Sequence, residues 1–156
     1  MIDDSLMSNT PSSTDGNSLQ RNQSTTSEKL SPFVIRVLIV DDDPDILLTY
    51  KSILIEENCN IETFTDAQEA LNHFAKANHS YYDLVLLDIR MPGINGLQLY
   101  YKLKAINMAI KIIFVSAIDA ADELISMLPD VRVDHDIIRK PVDRENLVNK
   151  VKAVLS

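Results

Sequence analysis

The stretch Leu84-Val85-Leu86-Leu87-Asp88-Ile89-Arg90-Met91-Pro92-Gly93-Ile94-Asn95-Gly96 decides the fold. Its four leading aliphatic residues leave no polar face, the pattern of a strand covered on both sides in a parallel sheet. A single carboxylate, Asp88, ends the run, and a Met-Pro-Gly turn follows it. Gly93 and Gly96 are two of the chain's three glycines. Both are expected at positive-φ turn positions that shape the loop after Asp88.

Working outward, similar short apolar runs recur at Val37-Leu38-Ile39-Val40, a weaker Ile61–Phe64, Ile112-Ile113-Phe114-Val115 and Asp136-Ile137-Ile138. Amphipathic stretches near 44–57, 66–77, 95–106, 119–128 and 143–154 read as helices. Strand and helix alternating five times implies right-handed crossovers and a doubly wound α/β sheet. In such sheets ligands bind beyond the carboxyl ends of the strands. The residues found there are Asp41-Asp42-Asp43, Asp88, Ser116-Ala117 and Lys140-Pro141. Four apolar strands with polar endings point to one converging site.

The rest of the composition narrows the function. At 156 residues the chain holds one domain with a sizeable core. Residues 1–32 are filled with Ser, Thr, Asn and Gln and are expected to form a disordered polar tail, because they bury too little apolar surface to offset ordering entropy. A net charge of −8 argues against direct nucleic-acid binding, which needs clustered cations. Cys59 is the only cysteine, so no internal disulfide or cysteine metal cage is available, and a small buried apolar role is expected for it. No apolar run reaches membrane-spanning length, and the N-terminus lacks the features of a secretory signal. A cytoplasmic location without membrane contact is the expectation.

Carboxylates gathered at one edge repel each other unless a cation neutralises them. An all-oxygen ligand set of high charge suits a hard ion such as Mg²⁺, which also bridges phosphate oxygens. An aspartate can in addition be a nucleophile that forms an aspartyl phosphate. Lys140 could then neutralise phosphoryl oxygens while Ser116 donates a hydrogen bond, since phosphoryl transfer asks chiefly for positioning and charge neutralisation.

The segment Val37–Pro44, the Leu86–Gly96 loop, Phe114-Val115-Ser116-Ala117 and Lys140-Pro141 together resemble the four motifs of two-component response-regulator receivers, in order and over about residues 34–156. The resemblance implies a receiver domain over residues 33–156 with a flavodoxin-like (βα)5 fold, five parallel strands in the order 2-1-3-4-5. It implies Asp88 as phosphoacceptor and Asp42, Asp88 and the backbone carbonyl of Arg90 as Mg²⁺ ligands, with Asp41 acting mostly through water. Ser116 and Lys140 would be the hydroxyl and lysine that meet the phosphoryl group, with a cis bond expected between Lys140 and Pro141. The donor would be a phosphohistidine on a sensor histidine kinase. A histidine phosphotransfer protein or a downstream target would read the product, and the receiver would be a monomer or a weak phosphorylation-dependent dimer. Its only catalysis would be its own phosphotransfer and autodephosphorylation, tuned by Arg90 and Ile118. No residues follow Ser156 in this sequence, so a receiver without an output domain is the expectation.

Simpler roles fit several residues. Asp43, followed by Pro44 and Asp45, is a helix cap. His73, His79 and His135 have no metal spacing and are expected in solvent, and Tyr100-Tyr101 should split across a helix, one ring in and one out. Two features depart from the family: Ile137 stands where receivers commonly carry Tyr or Phe, and Leu128–His135 lacks the usual Gly-Ala turn. Both suggest a signalling face tuned to an unusual partner. The competing reading is a pseudo-receiver, a protein-interaction module that is never phosphorylated, although none of the acids, the acceptor or the lysine is missing. A dehalogenase-like hydrolase would want Asp-x-Asp after the first strand, not a nucleophile after the third.

Overall fold

In the computed structural model, residues 34–78 and 80–156 are described; the polar tail expected at 1–32 and His79 lie outside them. Five strands, β1 (Ile35–Val40), β2 (Cys59–Phe64), β3 (Leu84–Asp88), β4 (Lys111–Ser116) and β5 (Ile137–Arg139), alternate with helices α1 (Pro44–Ile55), α2 (Ala67–Lys76), α3 (Gly96–Ile106), α4 (Ile118–Met127) and α5 (Arg144–Leu155). The strands form one parallel sheet in the order β2-β1-β3-β4-β5, the expected flavodoxin-like winding.

Strand parity sorts the core into two layers. Leu38, Val40, Val85, Leu87, Ile112 and Phe114 face α2, α3 and α4, meeting Phe74, Leu99, Leu103 and Leu124. Val37, Ile39, Leu84, Leu86, Ile113 and Val115 face α1 and α5, meeting Leu47, Tyr50, Leu54, Leu147 and Val151. Continuous apolar runs are therefore required, since both faces of the central strands are buried. Among the described residues no helix is long and apolar enough to cross a membrane.

Helix starts follow local chemistry. The Asp43 carboxylate accepts from the Asp45 N–H at 2.9 Å with Pro44 in the first turn, as expected. Asn95 and Gln98 make a reciprocal capping box at α3 that the sequence reading had not singled out.

Several expectations change. Asp136 is not a strand residue: Val133–Asp136 is a single helical turn that leaves β5 only three residues. The Asp136 carboxylate closes that turn by accepting from the Arg132 N–H at 2.8 Å. His73 and His135 are half-buried and partnered rather than freely solvated. His73 Nε2 lies 2.8 Å from Glu62, whose other oxygen accepts from the buried Tyr82 hydroxyl at 2.9 Å, and His135 Nδ1 lies 2.8 Å from Asp136. Gly93 has the expected positive φ of 76°, whereas Gly96 has none. A Cβ on Gly96 would meet the Asp88 carbonyl oxygen and the Ile89 Cα, so close backbone approach, not φ, requires glycine there. Tyr100 packs against Phe114 at 5.3 Å between centroids while Tyr101 is 53% exposed, the split that was expected. Cys59 is a buried strand residue whose thiol burial pushes up, Glu57 and Asp83 adding to the effect, so it is a weak nucleophile.

Candidate functional site

The apolar strands deliver their polar ends to one edge of the sheet. The Asp41 N–H donates to the Phe64 carbonyl at 3.2 Å, tying the end of β1 to β2. The Lys140 N–H donates to the Ser116 carbonyl at 2.7 Å, tying the end of β5 to β4. With the β1·β3 and β3·β4 ladders, in which Asp88 pairs with Val115, these bonds bring Asp41, Asp42, Asp88, Ser116 and Lys140 to one edge of the sheet, although Asp41 and Lys140 are 99 positions apart. The Lys140–Pro141 bond is cis.

Lys140 Nζ donates to Asp41 at 3.1 Å and to Asp88 at 3.4 Å, so one ammonium bridges the ends of β1 and β3. The other Asp41 oxygen accepts from the Asp43 N–H at 3.0 Å. Carboxylate oxygens of Asp41, Asp42 and Asp88 lie within 4.8 Å of one another. Asp41 and Asp88 are buried and Asp42 is exposed, which leaves the cluster open to solvent on one side.

Burial dominates the electrostatics. It raises the Asp88 carboxyl to about 6, with Asp41 adding to the rise and Lys140 opposing it. Burial also raises Asp41, against the Asp43 N–H and Lys140. For Lys140 burial acts downward, but Asp41 and Asp88 outweigh it and raise the ammonium. Three carboxylates against one ammonium leave an excess of negative charge. That hard oxygen donor set, part buried and open on the Asp42 side, fits a divalent cation such as Mg²⁺.

Ser116 is buried at the end of β4, and its hydroxyl donates to the Ala117 carbonyl at 2.8 Å rather than to a carboxylate. The Arg90 guanidinium points across the Asp88 loop to α4, 3.2 Å from Asp119 and 3.8 Å from Glu123. Arg90 was expected to offer its backbone carbonyl and to tune dephosphorylation, not to reach α4; acids one turn apart on that helix, Asp119 and Glu123, were the legible signal for this contact. Ile137 is buried in the core layer beside Phe114, its register partner.

Tyr50 escaped the sequence reading. It occupies the buried stripe of α1 between Leu47 and Leu54, and burial together with Asp41, Asp88 and Asp43 pushes its phenol up to about 12. The signal was a polar ring at the 47-50-54 spacing of an otherwise apolar face.

Comparison with known proteins agrees with this geometry. A family model described as the response regulator receiver domain matches residues 37–152. Response regulator ArlR of Staphylococcus aureus is 34% identical over 120 residues, covering 77% of this chain and 52% of that protein. The chain thus spans about half the length of the curated relatives it matches. Among solved structures, response regulator TrrA of Thermotoga maritima, in complex with Mg²⁺ and a beryllium fluoride, is 35% identical with a TM-score of 0.67, covering 78% of this chain and 100% of that one. A CheY-like receiver domain protein of Methanospirillum hungatei is 29% identical with a TM-score of 0.66, covering 79% and 94%.

Proposed function

The chain belongs to the response regulator receiver family, and from that premise we propose that it is a phospho-receiver whose acceptor is Asp88. Receivers of two-component systems interact with histidine kinases and downstream targets, and phosphorylation and Mg²⁺ are general features of the family. The observation that carries the reading is the cluster itself: carboxylates of Asp41, Asp42 and Asp88 within 4.8 Å, with Lys140 bridging two of them.

In this reading the Asp88 carboxylate attacks the phosphorus of a phosphohistidine on a sensor histidine kinase. The new O–P bond forms as the N–P bond breaks, and the departing imidazole nitrogen keeps the electron pair and takes a proton. Asp41, Asp42, Asp88 and the Arg90 backbone carbonyl would hold Mg²⁺, which supplies charge neutralisation for the phosphoryl oxygens. Lys140 transfers from the Asp88 carboxylate to a phosphoryl oxygen, keeping a charge-assisted bond throughout. The Ser116 hydroxyl, bonded only to the neighbouring carbonyl, can rotate to donate to the same group. The domain over residues 33–156 thereby performs only its own phosphotransfer and dephosphorylation, and passes the signal to a target or a histidine phosphotransfer protein.

Intact-mass spectrometry after acetyl phosphate plus Mg²⁺ tests this. The wild type should gain one phosphoryl group and Asp88→Asn none. No adduct on the wild type, together with no beryllofluoride binding, would favour a pure protein-interaction module.

A further inference from the structure

Tyr50 is the one polar side chain among the buried residues of α1, and it is 4% exposed. Its hydroxyl donates a hydrogen bond to no described residue, whereas buried hydroxyls ordinarily find a partner. No fully enclosed side-chain oxygen or nitrogen among the described residues lacks a partner, so the sliver of Tyr50 that remains accessible includes this oxygen. Tyr50 lines a cleft of about 500 Å³ between the first turns of α1 and the segment after β5, together with Asp45, Ile46, Thr49, Lys140, Pro141 and Val142. The Thr49 hydroxyl is already committed to the Asp45 carbonyl at 2.9 Å. The phenol is therefore the uncommitted hydroxyl of this wall, and it shares the wall with the lysine that bridges Asp41 and Asp88.

A tyrosine phenol is protonated throughout the physiological range, so the Tyr50 hydroxyl is available as a neutral donor. It feels Asp41, Asp88 and Asp43 without bonding any of them. Lys140, on the same wall as Tyr50, lies 3.4 Å from Asp88, so a group carried on Asp88 and held by Lys140 sets acceptor oxygens beside a residue of that wall. A phosphoryl group does this, carrying three strong acceptor oxygens beyond the carboxylate.

Resting on the reading of Asp88 as acceptor, we infer that Tyr50 is a further binding residue of the site, its hydroxyl donating to a phosphoryl oxygen that Lys140 neutralises. This uses a side chain buried on the α1 face of the sheet, so the donor is held rigidly by core packing instead of by a loop.

The test is beryllofluoride titration in Mg²⁺ by calorimetry on the full chain, comparing wild type, Tyr50→Phe and Asp88→Asn. Loss of one charge-assisted hydrogen bond should weaken beryllofluoride binding by Tyr50→Phe about tenfold. Its Mg²⁺ affinity and thermal midpoint should stay at wild-type values. In the wild type, the Tyr50 ring-carbon resonance next to the hydroxyl should shift on beryllofluoride addition. Wild-type binding with Tyr50→Phe within twofold of it overturns the donor role alone. Equal losses of affinity and thermal midpoint would assign Tyr50 to packing and also overturn it. Wild type that binds no beryllofluoride, like Asp88→Asn, overturns the acceptor reading and the donor role with it.

Discussion

Leu84, Val85, Leu86 and Leu87 share a strand and near-complete burial with Asp88, yet the two parts of β3 act on stability in opposite directions. The four aliphatic residues are at most 1% exposed, and each contributes about 1.5–3 kcal/mol by leaving water. Asp88, at 6% exposed, gives up hydration of a charge and faces a second buried acid, Asp41. Lys140 compensates only in part, as the rise of Asp88 to about 6 shows. One strand therefore ends in a place that is unfavourable until positive charge arrives from outside. A divalent cation would supply that charge.

The comparison can be broken most forcefully from its apolar half. Leu87→Ala should cost about 3 kcal/mol in urea unfolding, with an unchanged denaturant slope; a cost under about 1 kcal/mol would show that the strand is not the core it looks like. Gly96→Ala strikes where the two halves join, since the new methyl would run into the Asp88 carbonyl and the Ile89 Cα. We expect a loss of about 2 kcal/mol and a sharp fall in phosphate uptake, measured by urea melts and intact mass.

Asp88→Asn addresses the costly half directly and should stabilise the metal-free protein by about 2 kcal/mol at neutral pH. The sign follows from linkage. A carboxyl whose folded pKa is raised holds its proton longer when folded, so its contribution is fully favourable below about pH 4 and is lost as pH rises through about 6. The stabilisation by Asn should accordingly grow from pH 4 to 6 and then level off. Melts in EDTA across that range check it, and Mg²⁺ should raise the wild-type midpoint more than that of the variant. The smallest effect belongs to Arg90→Ala. Its ion pairs with Asp119 and Glu123 are well exposed, so the stability change should stay under about 0.5 kcal/mol. A larger value would mean that the loop after Asp88 is clamped to α4 more firmly than exposed charges allow.

Where the reading from sequence succeeded and failed follows from the range of the forces. Runs such as Leu84–Leu87 and Ile112–Val115 announce strands because both faces are covered, a property visible in four adjacent letters. Asp43-Pro44-Asp45 announces a helix start for an equally local reason. Asp136 was misassigned because Ile137 and Ile138 extend β5 by pattern. Its carboxylate instead reaches back to the Arg132 N–H and winds a helical turn. Gly96 was correctly marked as loop-shaping but for the wrong cause, since the backbone it must approach belongs to Asp88, eight residues earlier. His73 was assigned to solvent because nothing near it in sequence shows Glu62 and the Phe64 and Tyr82 rings closing around it.

By itself, then, the amino-acid sequence determined the alternating α/β winding, the family, and which polar residues end the strands. Hydrophobic periodicity and short motifs are local and survive being read one letter at a time. Only the tertiary structure decided that Lys140 bridges Asp41 and Asp88, that Arg90 reaches α4, and that the buried Tyr50 shares a cleft wall with Lys140. Those relations depend on distances across the sheet, where burial strengthens each charge and packing chooses which side chains meet.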